Sequence, residues 1–422
     1  MINQNETVMP NSNLAKPQYD SYCFSNIPQT VKYLLTGQGR PALPEPVFGD
    51  LPRRYETVIL FYVDAFGWRF FEQFKDHPLL QRLAGAGVVS RLTTQFPSTT
   101  AAHVTCIHMG LTPGQSGIFE WQYYEPQLDA VITPLLFSFA GTRKRDTLKA
   151  TGIEPATIYP SGTIYQDLHR HGVASYVLQH REFTPSTYSN IMFEGAEITP
   201  YQTLSEAMVN LRGLLARRQT PAYFFLYFDH IDSICHKYGP SSPQAEAEID
   251  TFLSIMDRLF QQKLQGQLDN TLLMVTADHG HIDIDPKQTI YLNQDPRFSG
   301  LKRFLKTDRQ GSTLVPGGSP RDVFLYINEG MVDAAQAFLS ERLAGLAGVY
   351  RVEDLSQEGF FGPEPVTDTF RARAGDLLIL PDRHQSVWWY EKGKFEQIFS
   401  GYHGGLSPEE MEIPLLLYHF QA

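Results

Sequence analysis

Five acidic or imidazole side chains in this chain follow closely on apolar runs. Asp64 ends the run Thr57–Val63, Asp278 and His279 close Leu272–Ala277, and Asp232 and His236 come after Ala222–Phe228. A strand end is where an open α/β sheet places its ligands, and Asp oxygens with His nitrogens are what a divalent cation takes. Asp64, Asp278 and His279 could hold one ion. Asp232 and His236, four residues apart on one helical face, could hold a second. A catalytic pair of ions needs about six protein ligands with open positions left over. The segment Ser400-Gly-Tyr-His-Gly-Gly offers His403 as the sixth, flanked by glycines that allow close approach. Any one of these residues taken alone reads as a helix cap or turn residue. Their meeting on one edge of one sheet is what points to a metal site.

A nucleophile is the next requirement. Gln95-Phe-Pro-Ser-Thr-Thr reads as a loop entering a helix, with hydroxyls at Ser98, Thr99 and Thr100. Three such residues suit an N-cap, and they also suit a hydroxyl held at the positive end of a helix, where an alkoxide and a phosphoryl group are stabilised. The spacing alone leaves all three candidates open.

The elements that must position these groups follow from periodicity. Thr57–Val63, Ala222–Phe228 and Leu272–Ala277 read as buried strands, while Leu204, Met208, Leu211 and Leu215, and then Ile249, Phe252, Leu253, Met256 and Phe260, recur at helical spacing. Strand and helix in alternation predict a doubly wound, mostly parallel sheet flanked by helices. A second alternation comprises strand Val323–Ile327, helix Val332–Leu343, a short strand near Val349–Val352 and strand Asp376–Leu380. It predicts a smaller inserted α/β subdomain. The expected division is an N-terminal arm and lead-in over 1–54, a metal-binding core over 55–281 and 401–422, and the insertion over 282–400. The proline-rich lead-in leaves room for one short helix at Gln29–Leu35, and the stretch from Phe119 to Pro200 reads as loops over the sheet edge.

Bulk properties narrow the function. With 422 residues, 42% of them hydrophobic, the chain can bury a large core, and a net charge of −11 argues against a broad grip on nucleic-acid polymer or anionic membrane. Cys23, Cys106 and Cys235 form no CxxC pair and suit a reducing compartment, and Cys235 is expected to pack inward. Met1–Ser25 has no apolar signal core and no stretch reaches about 18 uninterrupted apolar residues, so the expected location is cytoplasmic.

Taken together, Val63-Asp64, Phe96-Pro97-Ser98-Thr99-Thr100 with Gly110-Leu-Thr-Pro, Asp232…His236-Lys-Tyr-Gly-Pro240, Asp278-His279-Gly280 and His403-Gly404 resemble the type I phosphodiesterase/nucleotide pyrophosphatase family of the alkaline phosphatase superfamily. The pieces stand in the family's order over nearly the whole chain. The resemblance implies Asp232, His236 and His403 on one zinc-type ion and Asp64, Asp278 and His279 on the other. It also selects Thr100, ten residues before Gly110, as the nucleophile that bridges toward the second ion and becomes phosphorylated. Zinc is the expected metal, with manganese or iron as alternatives.

One residue departs from the family pattern. Three positions after the nucleophile, many members similar to this chain carry an asparagine that contacts a phosphoryl oxygen; here His103 stands there and could donate the same hydrogen bond. Phe66, Phe119, Trp121, Tyr123 and Tyr124 could stack a base or aryl leaving group. The expected substrate is a small phosphodiester or nucleotide, and the competing readings are a phosphomonoesterase, a phosphonate hydrolase and a binding protein without catalysis. A sulfatase is disfavoured, since the Cys-x-Pro-x-Arg element is missing.

Overall fold

The computed structural model describes residues 14–420; the first thirteen residues of the expected lead-in lie outside them. A seven-stranded sheet organises the molecule. Its strands in chain order are β1 (Thr57–Val63), β2 (Val88–Thr93), β3 (Ala174–His180), β4 (Glu197–Tyr201), β5 (Ala222–Phe228), β6 (Thr271–Thr276) and, after a long excursion, β11 (Glu412–Phe420). They lie in the order β2-β11-β6-β1-β5-β3-β4, parallel from β6 to β4, with β11 antiparallel to both of its neighbours.

Strands β1, β5 and β6 are buried along their whole length, which explains why they read as unbroken apolar runs and not as alternations. Helix α1 (Ile27–Thr36) buries Ile27, Val31, Leu34 and Leu35, and α3 (Leu204–Arg217) buries Met208, Leu211 and Leu215. Helix α5 (Pro243–Ile255) runs on into a π-helical turn over Met256–Gln261, carrying the apolar face Ile249, Phe252, Leu253, Met256 and Phe260 into one core.

The reading of Phe119–Pro200 as loops is corrected here, because the stretch contributes β3 and most of β4 to the main sheet. These strands pass as Ala-Ser-Tyr-Val-Leu-Gln-His and Glu-Ile-Thr-Pro-Tyr, short mixed segments near one edge, so hydropathy marks them weakly.

The smaller sheet has four strands, β7 (Gly317–Ser319), β8 (Asp322–Leu325), β9 (Ala347–Arg351) and β10 (Leu377–Pro381), ordered β7-β8-β10-β9 and wholly antiparallel. Helix α6 (Val332–Arg342) packs on it, and a second apolar cluster that includes Leu292, Phe304, Val323, Leu339, Leu377 and Trp388 fills the space between. Among the described residues no helix is long and apolar enough to cross a membrane.

Helix α2 (Thr100–Met109) is buried on every face except at Thr100. Its His108 is enclosed by Phe193 and Phe225 at 4.8 Å, and its Nδ1 is hydrogen-bonded to the Tyr165 hydroxyl at 2.8 Å. Burial pushes the His108 pKa down to about 3. The folded value therefore lies below the unfolded one of roughly 6.5, so this group's neutral burial costs stability only as pH falls below that value. His108→Phe should gain on the parent protein by ~1.4 kcal/mol for each pH unit between about 6.5 and 5, as read from urea unfolding at matched pH. A stability difference independent of pH would contradict this placement of the imidazole.

Candidate metal centre and nucleophile

The C-terminal ends of three adjacent strands carry the site. Val63 pairs with Phe228 and Tyr62 pairs with Thr276, so β1, β5 and β6 stop at one level and release Asp64, the Asp232 helix and Asp278 on one edge. After Asp64 the chain turns through Ala65 in the left-handed region at φ +64°, and the Ala65 N–H donates to Asp278 Oδ1 at 3.0 Å. Gly67 and Gly280 let the two turns touch: a Cβ at Gly280 would meet Glu409 O at 2.1 Å and Gly67 Cα at 3.3 Å.

Each carboxylate of the first group is held by one oxygen and leaves the other without a partner. Asp64 Oδ2 accepts from the Tyr227 hydroxyl, and Asp278 Oδ1 accepts the amides of Ala65 and His279, both at 3.0 Å. The remaining oxygens, Asp64 Oδ1 and Asp278 Oδ2, are buried with no partner, and each lies 3.4 Å from His279 Nε2. Three donor atoms thus face one point. Burial, then the charge of the neighbouring carboxylate, raises the Asp64 pKa far above the usual range; burial likewise raises that of Asp278. Orphaned buried carboxylate oxygens are costly alone and are what a divalent cation satisfies, so the residues present fit an ion.

The second group surrounds Asp232, which sits in the first turn of α4 (His230–Tyr238). Its Oδ1 lies 2.7 Å from His281 Nε2, 3.5 Å from His236 Nε2 and 3.7 Å from His403 Nε2. One group of donor atoms, all within 4.8 Å of one another, takes in Asp232, His279, His281 and His403. His236, one turn on from Asp232, stands slightly outside it, while its ring still packs 4.7 Å from that of His281 and 5.1 Å from that of His403.

Three of these imidazoles share one arrangement. His236 Nδ1 meets Gly401 O at 2.9 Å, His279 Nδ1 meets Gly280 O at 3.1 Å, and His403 Nδ1 meets Ser98 O at 2.8 Å. A carbonyl can only accept, so each Nδ1 carries the proton and each Nε2 keeps its lone pair for the site. Burial holds the pKa values of His279 and His403 well below normal, so both rings are neutral at physiological pH, as ligands must be.

The His403 loop is fixed from below. Glu410 accepts from the Gly405 amide at 3.0 Å and forms a buried pair with Arg321 Nε at 3.0 Å, tying this loop to the smaller sheet.

The structure separates the three hydroxyls. Ser98 Oγ donates to Gly405 O at 2.8 Å and Thr99 Oγ1 to Phe119 O at 2.9 Å, so both are committed to holding loops. Thr100 opens helix α2, and its Oγ1 lies 3.2 Å from His279 Nε2, at the first ion group.

Other sequence-derived candidates fall elsewhere. His103 is wholly buried: its Nδ1 pairs with Thr99 O at 2.7 Å, and its Nε2 accepts the Gln95 amide at 2.9 Å. The reading of His103 as a phosphoryl donor is corrected on this ground, since neither ring nitrogen is available; it braces the loop that leads into Thr100. Phe119 and Tyr123 stack on one another at 5.1 Å inside the core, and Phe66 is also buried, so none of these three presents a face to a ligand. Trp121 alone of the proposed stacking residues is open, at 48% exposure. Cys235 is buried, as its spacing within α4 requires.

His281 is the residue that sequence reasoning missed. Its signal was a second imidazole in the Asp278-His-Gly-His loop, two positions past one already assigned.

Comparison with known proteins gives the family and the fold. The family model described as type I phosphodiesterase/nucleotide pyrophosphatase matches residues 58–406. A venom phosphodiesterase of Crotalus durissus collilineatus is 25% identical over 284 residues, covering 65% of this chain and 32% of that protein. Human ectonucleotide pyrophosphatase/phosphodiesterase family member 1 is 24% identical over 262 residues, covering 58% of this chain and 26% of its own length. The chain therefore spans about a third or less of these curated relatives. Murine ectonucleotide pyrophosphatase/phosphodiesterase 5 shares the fold with a TM-score of 0.61 at 18% identity, covering 86% of this chain and 88% of that one. An inactive variant of the same murine protein was solved in complex with AMP, again with a TM-score of 0.61 at 18% identity, over 87% of this chain and 88% of that one.

Proposed function

As a member of the type I phosphodiesterase/nucleotide pyrophosphatase family, this chain, we propose, hydrolyses a small phosphodiester or phosphoanhydride, with Thr100 as nucleophile and two divalent ions. The observation that carries the proposal is the division of labour among the hydroxyls: Ser98 and Thr99 are spent on carbonyls, while Thr100 faces the donor cluster. Attack by Thr100 Oγ1 on phosphorus forms a threonine phosphoester as the bond to the leaving oxygen breaks, and water then cleaves that ester in a second displacement. The positive end of helix α2, whose N-cap Thr99 makes no side-chain cap bond, stabilises charge on the incoming phosphoryl oxygens.

Asp64, Asp278 and His279 would hold the ion beside Thr100, and Asp232, His236 and His403 the ion on the leaving-group side. Ions bound there supply the charge that eases deprotonation of the threonine and neutralises the departing oxygen. Mixed carboxylate and imidazole donors support zinc, with manganese or iron as substitutes. The AMP complex of the murine neighbour supports a nucleotide as substrate.

Rates on bis-p-nitrophenyl phosphate, p-nitrophenyl phosphate and phosphonoacetate measured side by side test the reaction class. The diester should turn over fastest. Preference for the monoester or release of phosphate from phosphonoacetate would transfer the chain to those reactions, and inactivity on all three with two ions bound would favour a binding protein.

A further inference from the structure

The three carboxylates of the site differ in how they are held. Asp64 is anchored by the Tyr227 hydroxyl and Asp278 by two backbone amides. Asp232 is more open, its side chain 17% exposed, and among the described residues its one hydrogen bond comes from His281.

His281 also departs from the pattern of its neighbours. His236, His279 and His403 each give Nδ1–H to a carbonyl and turn Nε2 to the site. His281 instead sets Nε2 at 2.7 Å from Asp232 Oδ1, with Nδ1 buried and unpartnered. Ligation of an ion through Nε2 would put its proton on Nδ1, leaving a buried N–H with no acceptor, which proteins rarely tolerate. With the proton on Nε2, the ring donates to the carboxylate and only a lone pair is left over. The 2.7 Å separation is likewise a hydrogen bond, whereas His236 and His403, at 3.5 and 3.7 Å, stand at the spacing of two ligands around a common ion.

We infer that His281 is a positioning residue: its Nε2–H holds Asp232 Oδ1 so that the carboxylate and the rings of His236 and His403 converge on one cation. The inference rests on the two-ion reading above and adds to it which residue sets the affinity of one ion.

Two conservative variants separate the possibilities. His281→Gln carries an amide N–H to about the place of Nε2, and His281→Asn carries it only to the place of Nδ1. Zinc affinities of the metal-free proteins are read by competition with a chromophoric chelator. His281→Asn should bind one of its two ions 10- to 100-fold more weakly and leave the other unchanged, while His281→Gln stays within a few-fold of the parent. Equal and undiminished affinities in both variants would overturn the inference. So would equal loss in both, accompanied by a weaker cobalt(II) absorption band in Gln, because that marks His281 as a ligand. A parent protein that takes up fewer than two ions would sink the two-ion reading itself, a result distinct from any ordering of the variants.

Discussion

Thr100→Ala should lower turnover of the diester by at least about 10⁴-fold while metal content and melting temperature stay close to those of the parent. The side chain is partly exposed at the first position of helix α2, and the Thr99 N-cap beside it makes no side-chain cap bond, so the substitution removes a hydroxyl without opening a cavity. Thr100→Ser should keep measurable activity and yield a labelled phosphoserine when quenched during turnover. Ser98→Ala and Thr99→Ala should act differently, because each frees a carbonyl that holds a loop, and their effects belong to stability before rate. Activity of Thr100→Ala above a few per cent of the parent would move the nucleophile elsewhere.

The second large effect changes sign with metal. In the metal-free protein Asp64 and Asp278 are buried close together, each with an orphaned oxygen, and burial raises both pKa values. A carboxyl whose folded pKa lies above its unfolded one stabilises the fold only at low pH, and that contribution is lost as pH rises through the folded value. At neutral pH the pair therefore destabilises the apo protein. Asp278→Asn should leave the apo protein as stable as the parent or more so, by on the order of 1–3 kcal/mol. With zinc at about 1,000 times its dissociation constant, the parent should gain roughly 4 kcal/mol per site, and the variant should lose most of the gain from one of them. Thermal unfolding of both proteins with and without zinc measures the crossover. Parallel destabilisation in the two conditions would mean that Asp278 serves the fold and not an ion.

Much of the site could be read from the chain because its residues sit next to strong signals. Asp64 and Asp278 follow strands so apolar that hydropathy marks their ends within a residue, and Asp232 follows a third. Spacing did not say which hydroxyl is free, and the family resemblance alone singled out Thr100. Ser98, Thr99 and Thr100 are otherwise equivalent as a string, and contacts to Gly405, more than 300 residues away, and to Phe119 give the physical difference. His103 misled for the same reason: its helical position is compatible with a phosphoryl contact, but the Gln95 amide and the Thr99 carbonyl saturate it. The aromatic residues Phe119 and Tyr123 belong to a core completed by Phe324 and Phe370, and such distant packing leaves no periodic trace. Strands β3 and β4 escaped notice because they mix polar residues into short runs near a sheet edge.

Strand β11 lies between β2, which feeds the Thr100 loop, and β6, which ends at the Asp278 carboxylate. It carries none of the reacting groups and acts as a spacer, holding their strands two inter-strand steps apart, about 10 Å. That gap is set by peptide pairing, so side chains along the spacer can drift without altering it. The separation between the Thr100 loop and the Asp278 carboxylate is thus written into main-chain geometry, where mutation has the least purchase.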